Sequence, residues 1–254
     1  VTINITGVAG EGYGVSQPAT FELSVATLTA GSPVVTGDLV IVAGVAEGGS
    51  TLTNNTTDWT LAGTVLANTE WLGDLCRMYV WYIVATHDWD VTPVTGYRVE
   101  FTSSDTAMTK KFISHHITTT ESWGSSAVTA VMGTDTTATY PSPGFLPTFD
   151  IDGITLSDVD DALLRVAVCN DNGDEGTFDE SQSFSGHTRL MVLTGGEVGM
   201  ISIEKDSVAA GAVSALTLDT ISVVGGEVDA IGFSNIKLRE GGGGSSNMTL
   251  LGVG

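Results

Sequence analysis

Short runs rich in Val, Ile, Thr and aromatic residues alternate along the chain with clusters of Gly, Asn, Asp and Ser, and no segment sustains a helical period. The pattern predicts strands near 20–28, 39–46, 59–66, 75–85, 97–102, 107–118, 148–151, 162–169, 188–193, 198–205, 214–221 and 227–238. Leu75 to Ala85 is the clearest. Cys76, Met78, Val80, Tyr82 and Val84 fall on one face, while Arg77, Tyr79 and Trp81 fall on the other. One side should meet a core and the other be only partly covered, as in a central strand of a sandwich. Ser157 to Arg165 reads as an Asp-rich turn running into the strand from Ala162 to Cys169.

Two internal echoes appear. Gly37-Asp38-Leu39-Val40-Ile41-Val42-Ala43 resembles Asp160-Asp161-Ala162-Leu163-Leu164-Arg165-Val166-Ala167, each an acidic turn entering an aliphatic strand. Gly195-Gly196-Glu197-Val198 matches Gly225-Gly226-Glu227-Val228. Such short echoes fit two halves that each contribute equivalent strands to one sandwich. The expected organisation is a single domain over 1–240, with 1–30 as an N-terminal arm or edge strands. Beyond it, 241–254 is a flexible Gly/Ser linker ending in an apolar tail that contains Met248, Leu250 and Leu251. That tail either frays or docks into a groove or sheet edge of a neighbouring subunit.

Charge narrows the function classes. Thirty acidic residues face nine basic ones, a formal net charge of -21, and only Lys110 and Lys111 are adjacent cations. Neutralising phosphates needs clustered Lys and Arg, so nucleic acid and anionic membrane surfaces are excluded as partners. Hydrophobic residues at 42% exclude a disordered chain, and no apolar run is long enough for a spanning helix. Cys76 and Cys169 sit far apart in hydrophobic runs, which reads as two buried free thiols or one cross-core disulfide.

Candidate chemistry is sparse. Glu227-Val228-Asp229 begins the Glu-x-Asp-x-x-Glu strand of retaining glycosidases, but Gly232 stands where the acid is needed. His115 and His116 are neighbours in a strand, so their rings point to opposite faces and cannot chelate one ion together. No Gly-x-Ser-x-Gly elbow occurs. Asp171, Asp174 and Asp179, and separately Asp150 and Asp152, are oxygen-rich enough for an irregular Ca2+ site, the alternative being hydrated acidic loops. Trp71, Trp89 and Trp123 sit in or beside polar loops, where they pack under the loops, anchor an interface or stack on a sugar. On the last strand, Ile231 and Phe233 would lie on the outer face if Val228, Ala230, Ile236 and Leu238 face inward, offering an association surface.

Pro33-Val34-Val35-Thr36-Gly37-Asp38-Leu39-Val40-Ile41-Val42, then Asp58-Trp59-Thr60-Leu61, then Met78-Tyr79-Val80-Trp81-Tyr82-Ile83-Val84-Ala85-Thr86 follow a recognisable order. The order resembles a family of jelly-roll (concanavalin-like sandwich) structural proteins of tailed bacteriophages and prophages. Their pattern is a Gly-Asp-Leu-Leu strand, a Gly-Trp-Thr-Leu strand and a Tyr-Tyr-Lys-Val-Ala strand, followed by a second aliphatic strand matched here by Asp161 to Val168. The likeness spans about 33–238. It implies an all-β antiparallel jelly-roll and a non-enzymatic virion component without a cofactor, Ca2+ being optional. Such a subunit would sit on the virion surface as an outer-capsid decoration or tail-associated protein. Its partners would be its own copies and the capsid or tail proteins. The alternative from another class is a carbohydrate-binding module of a tail fibre or secreted protein.

Overall fold

The alternation resolves into eighteen strands, without a helix among the described residues. The computed structural model describes residues 3–240 except 14–18, 25–32, 49, 69–74, 91–97, 135–147, 157–161, 172–175, 195–197, 206–208 and 223–227. The first half supplies Ile3–Tyr13 (β1), Thr20–Ser24 (β2), Leu39–Glu47 (β3), Leu52–Asn54 (β4), Thr60–Asn68 (β5), Leu75–Val84 (β6), Arg98–Ser103 (β7) and Lys110–Thr119 (β8). The second supplies Trp123–Thr134 (β9), Thr148–Ile151 (β10), Ile154–Leu156 (β11), Ala162–Asp171 (β12) and Gly176–Phe178 (β13). It continues with His187–Leu193 (β14), Val198–Lys205 (β15), Gly211–Val213 (β16), Leu216–Ser222 (β17) and Val228–Glu240 (β18).

All pairings are antiparallel. One five-stranded sheet runs β1-β8-β3-β6-β5 and the other β14-β15-β12-β18-β9. Three-stranded sheets run β2-β7-β4 and β10-β17-β13, and β11 pairs with β16. The large sheets pack face to face over Leu39, Ile41, Val45, Met78, Ile117, Leu164, Val168, Met200, Ile236 and Leu238, all fully buried. The outer face of the first large sheet is covered by β2-β7-β4 through Phe21, Leu23, Val99 and Phe101, packed on Val40, Val42, Tyr79, Trp81 and Phe112. On the second, β10-β17-β13 places Phe149, Ile151, Phe178 and Leu218 over Ala167, Cys169, Ile201, Ile203, Ile231 and Phe233. Four layers and three apolar seams result.

The second half repeats the first. With β11 and β16 set aside, β9, β10, β12, β13, β14, β15, β17 and β18 take the places of β1 to β8 in order, and both sheet orders coincide. Register carries the match to single residues. Aligning Asp38 with Asp161 sets Ile41 against Leu164 and Val45 against Val168. Through the ladders, Met78 is then set against Met200 and Ile117 against Leu238. Both halves carry a β-bulge at the same place, at Ala62 between Leu61 and Gly63 and at Leu190 between Arg189 and Met191. Bulges re-aim a strand locally, so a shared one marks equivalent structure beyond shared strand order. Thr20-Phe21-Glu22-Leu23 and Thr148-Phe149-Asp150-Ile151 are the matching short strands, and each places its aromatic and aliphatic residue inward.

Contacts across the central core pair β1 with β14, β8 with β15, β3 with β12, β6 with β18 and β5 with β9. Exchanging the halves leaves this set unchanged, so a pseudo-two-fold axis passes between β3 and β12, as in an isologous dimer. Where the outer strands meet, a missing side chain makes room for a large one. A Cβ on Gly10 of β1 would lie 2.4 Å from Leu193 of β14, and one on Gly63 of β5 would lie 2.8 Å from Met132 of β9.

Two expectations change with this packing, and a choice between two readings of the cysteines is decided. Both faces of Leu75–Val84 are covered, with Tyr79 and Trp81 buried beneath the small sheet. Ile231 and Phe233 lie on the outer face of β18, but β10-β17-β13 covers that face and leaves each 2% exposed. They are core residues within the single chain and offer nothing to a partner. Cys76 and Cys169 are free thiols in different layers, Cys76 in the central core and Cys169 in the outer seam.

Candidate functional site

The entry to β3 gathers a polar network that joins three segments of the chain. Gly37 adopts φ of 98°, a left-handed conformation that glycine takes without a Cβ clash. Its N–H donates to Ala85 O at 2.8 Å, and the Ala85 N–H donates to Asp38 O at 2.7 Å. Asp38 Oδ2 accepts from the Val35 N–H at 2.9 Å and pairs with His116 Nε2 at 2.8 Å. On its other side His116 Nδ1 meets Thr6 Oγ1 at 3.2 Å, and the same hydroxyl donates to His116 O at 3.3 Å. Thr6 is the extra residue of a β1 bulge between Ile5 and Gly7, which turns its side chain toward the imidazole.

Hydroxyl, imidazole and carboxylate in this order match a nucleophile, base and orienting acid. The internal repeat argues for a clamp instead. Lys237 faces Leu163 in β12 as His116 faces Val40 in β3, and Asp161 precedes β12 as Asp38 precedes β3. Lysine is likewise basic but cannot relay a proton between two partners as imidazole does. The halves therefore share a basic residue and an acid at the entry of the central strand. In the first half this pair ties the Val35–Asp38 turn to β8 and, through Thr6, to β1.

Other polar side chains are buried singly. His115 points into the central core, with neither ring nitrogen hydrogen-bonded, and burial pushes its pKa down to about 3. Lys110 is 1% exposed with Nζ unpartnered. Desolvation lowers its pKa, against the opposing influence of Asp105 and Glu47. Arg165 and Asn235 are opposed across β12 and β18 and both are buried. Arg165 Nη2 donates to Ser214 O at 2.7 Å, and Asn235 Nδ2 donates to Asp152 O at 2.9 Å. Asp152 precedes β11 and Ser214 follows β16, and Ile154 faces Val213 across that ribbon, so the pair pins its two strands at one end. Val42 and Ser114 occupy the matching positions in the first half.

Among the described residues no group of three His, Cys, Asp or Glu side chains is placed to hold a metal ion. Asp150 Oδ1 accepts from Thr217 Oγ1 at 2.5 Å, and Asp179 Oδ1 accepts from the Ser181 N–H and hydroxyl at 2.7 and 2.6 Å. These bonds to Ser181 lower the Asp179 pKa. Asp152 is exposed, its backbone carbonyl engaged by Asn235. Asp174, Glu227, Trp71, Met248, Leu250 and Leu251 lie outside the described residues, and for Asp171 only the strand position is described. Trp89 is 5% exposed, its ring 6.5 Å from that of Trp59, so it belongs to the outer seam rather than to a sugar-stacking platform. Trp123 is half-buried against the central core at the start of β9.

One surface feature stands apart from the acidic exterior. β5 and β9 end their respective sheets and stack on each other, so among the described residues one rim presents two open strand edges. Leu61 and Leu66 on β5 are 51% and 41% exposed, and Val131 on β9 is 46% exposed. Neither strand contains a charged residue. Alternation alone did not disclose this rim, because β9 was not anticipated and its neighbour across the core follows only from the sheet packing.

Comparison with protein-family models, with curated proteins and with solved structures gave no match.

Proposed function

We propose that this chain is a non-enzymatic structural subunit of a tailed-bacteriophage virion, displayed on the particle exterior as a decoration protein. The observation that carries the reading is the strand order. In each half the first strand pairs with the eighth, the second with the seventh and the third with the sixth, as in a jelly roll. The fifth strand departs from the ideal winding by joining the sixth in the large sheet rather than the fourth in the small one. Jelly rolls build viral capsids and lectins alike. Two such windings sharing one core favour the capsid reading, because each buries a whole sheet face in the other and what remains outside is loops, edges and the polar outer faces of the small sheets. Burial of Trp89 takes one aromatic away from the lectin alternative.

The charge fits the same reading. A chain at -21 is repelled by packaged nucleic acid and stays hydrated on an outer surface. The partners are further copies of the chain and the shell or tail proteins, with the apolar C-terminal tail clasping a neighbour. Neither a cofactor nor Ca2+ is required for this role.

Antibody labelling of intact particles tests the reading, with labels expected at regular sites on the outside and the chain present in purified virions at a fixed stoichiometry. Its absence from purified particles, or chelator-sensitive binding on a glycan array, overturns it.

A further inference from the structure

We propose that the β5/β9 rim is a self-association surface on which a second copy of this chain docks edge to edge. The inference rests on the two stacked edges and their lack of charge, and it holds whether or not the chain belongs to a virion.

Open sheet edges carry unpaired backbone N–H and C=O groups, and proteins protect them with charges, prolines or covering segments. The internal repeat supplies a control. Exchanging the halves carries the β5/β9 rim onto the β14/β1 rim, so the two have the same architecture. On the β1/β14 rim the edge is guarded. Arg189 of β14 occupies the position that Leu61 holds in β5, each just before the shared bulge. Glu11 of β1 occupies the position of Gly133 in β9, and Ala9 that of Val131. The β5/β9 rim has thus exchanged Arg for Leu, Glu for Gly and Ala for Val at matched sites. Three of the four large hydrophobic residues exposed among the described residues lie on it.

Self-complementarity identifies the occupant as another copy, and charge does not oppose it. Two molecules at -21 repel wherever acidic surfaces approach, and β5 and β9 contribute no charge to that repulsion. The geometry allows one operation to satisfy both edges. A two-fold axis normal to the large sheets sets β5 against β5 and β9 against β9 of the second copy, both antiparallel. Each five-stranded sheet then becomes ten-stranded, and the exposed Leu61, Leu66 and Val131 are brought toward their counterparts. Pairing through backbone groups and apolar side chains should strengthen with salt, which screens the residual repulsion, whereas an interface built on ion pairs should weaken.

Sedimentation velocity on the full chain tests this. The expected result is a species of twice 26.2 kDa at micromolar concentration, with a dissociation constant that falls as salt rises from about 20 to about 300 mM. Leu61→Lys combined with Val131→Lys should raise that constant at least about tenfold, because like charges then face each other across the axis. Ala9→Lys on the guarded rim should leave it unchanged. A monomer at all concentrations, dissociation promoted by salt, or a dimer disrupted by Ala9→Lys alone overturns the proposal. Should the double variant not fold, hydrogen exchange on the unaltered chain decides. Protection of β5 and β9 amides that falls on dilution supports the rim, and concentration-independent exchange refutes it.

Discussion

His115 makes the stability of this protein depend on pH in a calculable way. Its ring is fully buried between the two large sheets, without a hydrogen bond to either nitrogen, and burial holds its pKa at about 3 against an ordinary 6.5. The folded chain therefore keeps the ring neutral where the unfolded chain protonates it. Stability is fully present above about pH 6.5 and is lost as the pH falls from there toward 3. Linkage puts the loss at about 2 kcal/mol by pH 5, and at an upper limit of about 5 kcal/mol below pH 3. The perturbation is His115→Leu, which fills similar space and cannot take a proton. Urea unfolding of both proteins at pH 7.5, 6, 5 and 4.5 isolates the residue, since every other titrating group, His116 and Asp38 included, is common to the two. At pH 7.5 the variant should match or exceed the original chain, because an unpartnered buried imidazole costs about 1–3 kcal/mol. At pH 5 it should lead by about 2 kcal/mol more than at pH 7.5. Parallel stability curves over this range would falsify the reasoning, since they require that the ring either reaches water or finds a partner in the fold.

Other consequences are local to named contacts. Tyr79→Phe removes the hydroxyl that accepts from the Leu52 N–H at 3.0 Å and leaves a buried amide unpaired, for an expected loss of about 1–3 kcal/mol in denaturant unfolding. Met78→Ala and Met200→Ala truncate matched, fully buried side chains and should each cost about 2–5 kcal/mol, close to one another. A difference of several kcal/mol between them would contradict the pseudo-symmetric core. Arg165→Met should unpin the β11/β16 ribbon, seen as faster hydrogen exchange over 152–156 and 211–216, while amides of β3 and β8 keep their protection.

Much of the fold was legible because strands covered on both faces read as continuous apolar runs and those covered on one face as alternation. Residues 39–46, 148–151 and 198–205 read as strands and are strands, and 75–85 is a strand up to Val84. The edge strands β1 and β9 did not stand out. Ile3–Tyr13 carries three glycines, and Trp123–Thr134 mixes Ser, Thr and Gly with its apolar residues; each strand is paired on one side only. The echo between Gly37–Ala43 and Asp160–Ala167 fell on equivalent strands, β3 and β12, whereas the one between Gly195–Val198 and Gly225–Val228 joins β15 to β18, which are not equivalent. The truer trace, Thr20–Leu23 against Thr148–Ile151, was too short to be noticed without the sheet order.

By itself, the sequence determined that the chain is all-β, that its central strands are apolar and that its exterior is strongly acidic. Those properties belong to single residues and to their neighbours two positions away, which is the range over which alternation operates. Tertiary structure decided which apolar faces are covered. Ile231 and Phe233 are apolar on an outer face, as are Leu61 and Val131, yet a three-stranded sheet drawn from strands between residues 148 and 222 hides the first pair and nothing among the described residues covers the second. The same holds for the Thr6, Asp38 and His116 clamp and for the unguarded rim. Each depends on strands far apart in sequence lying side by side, and only the completed sheets bring them there.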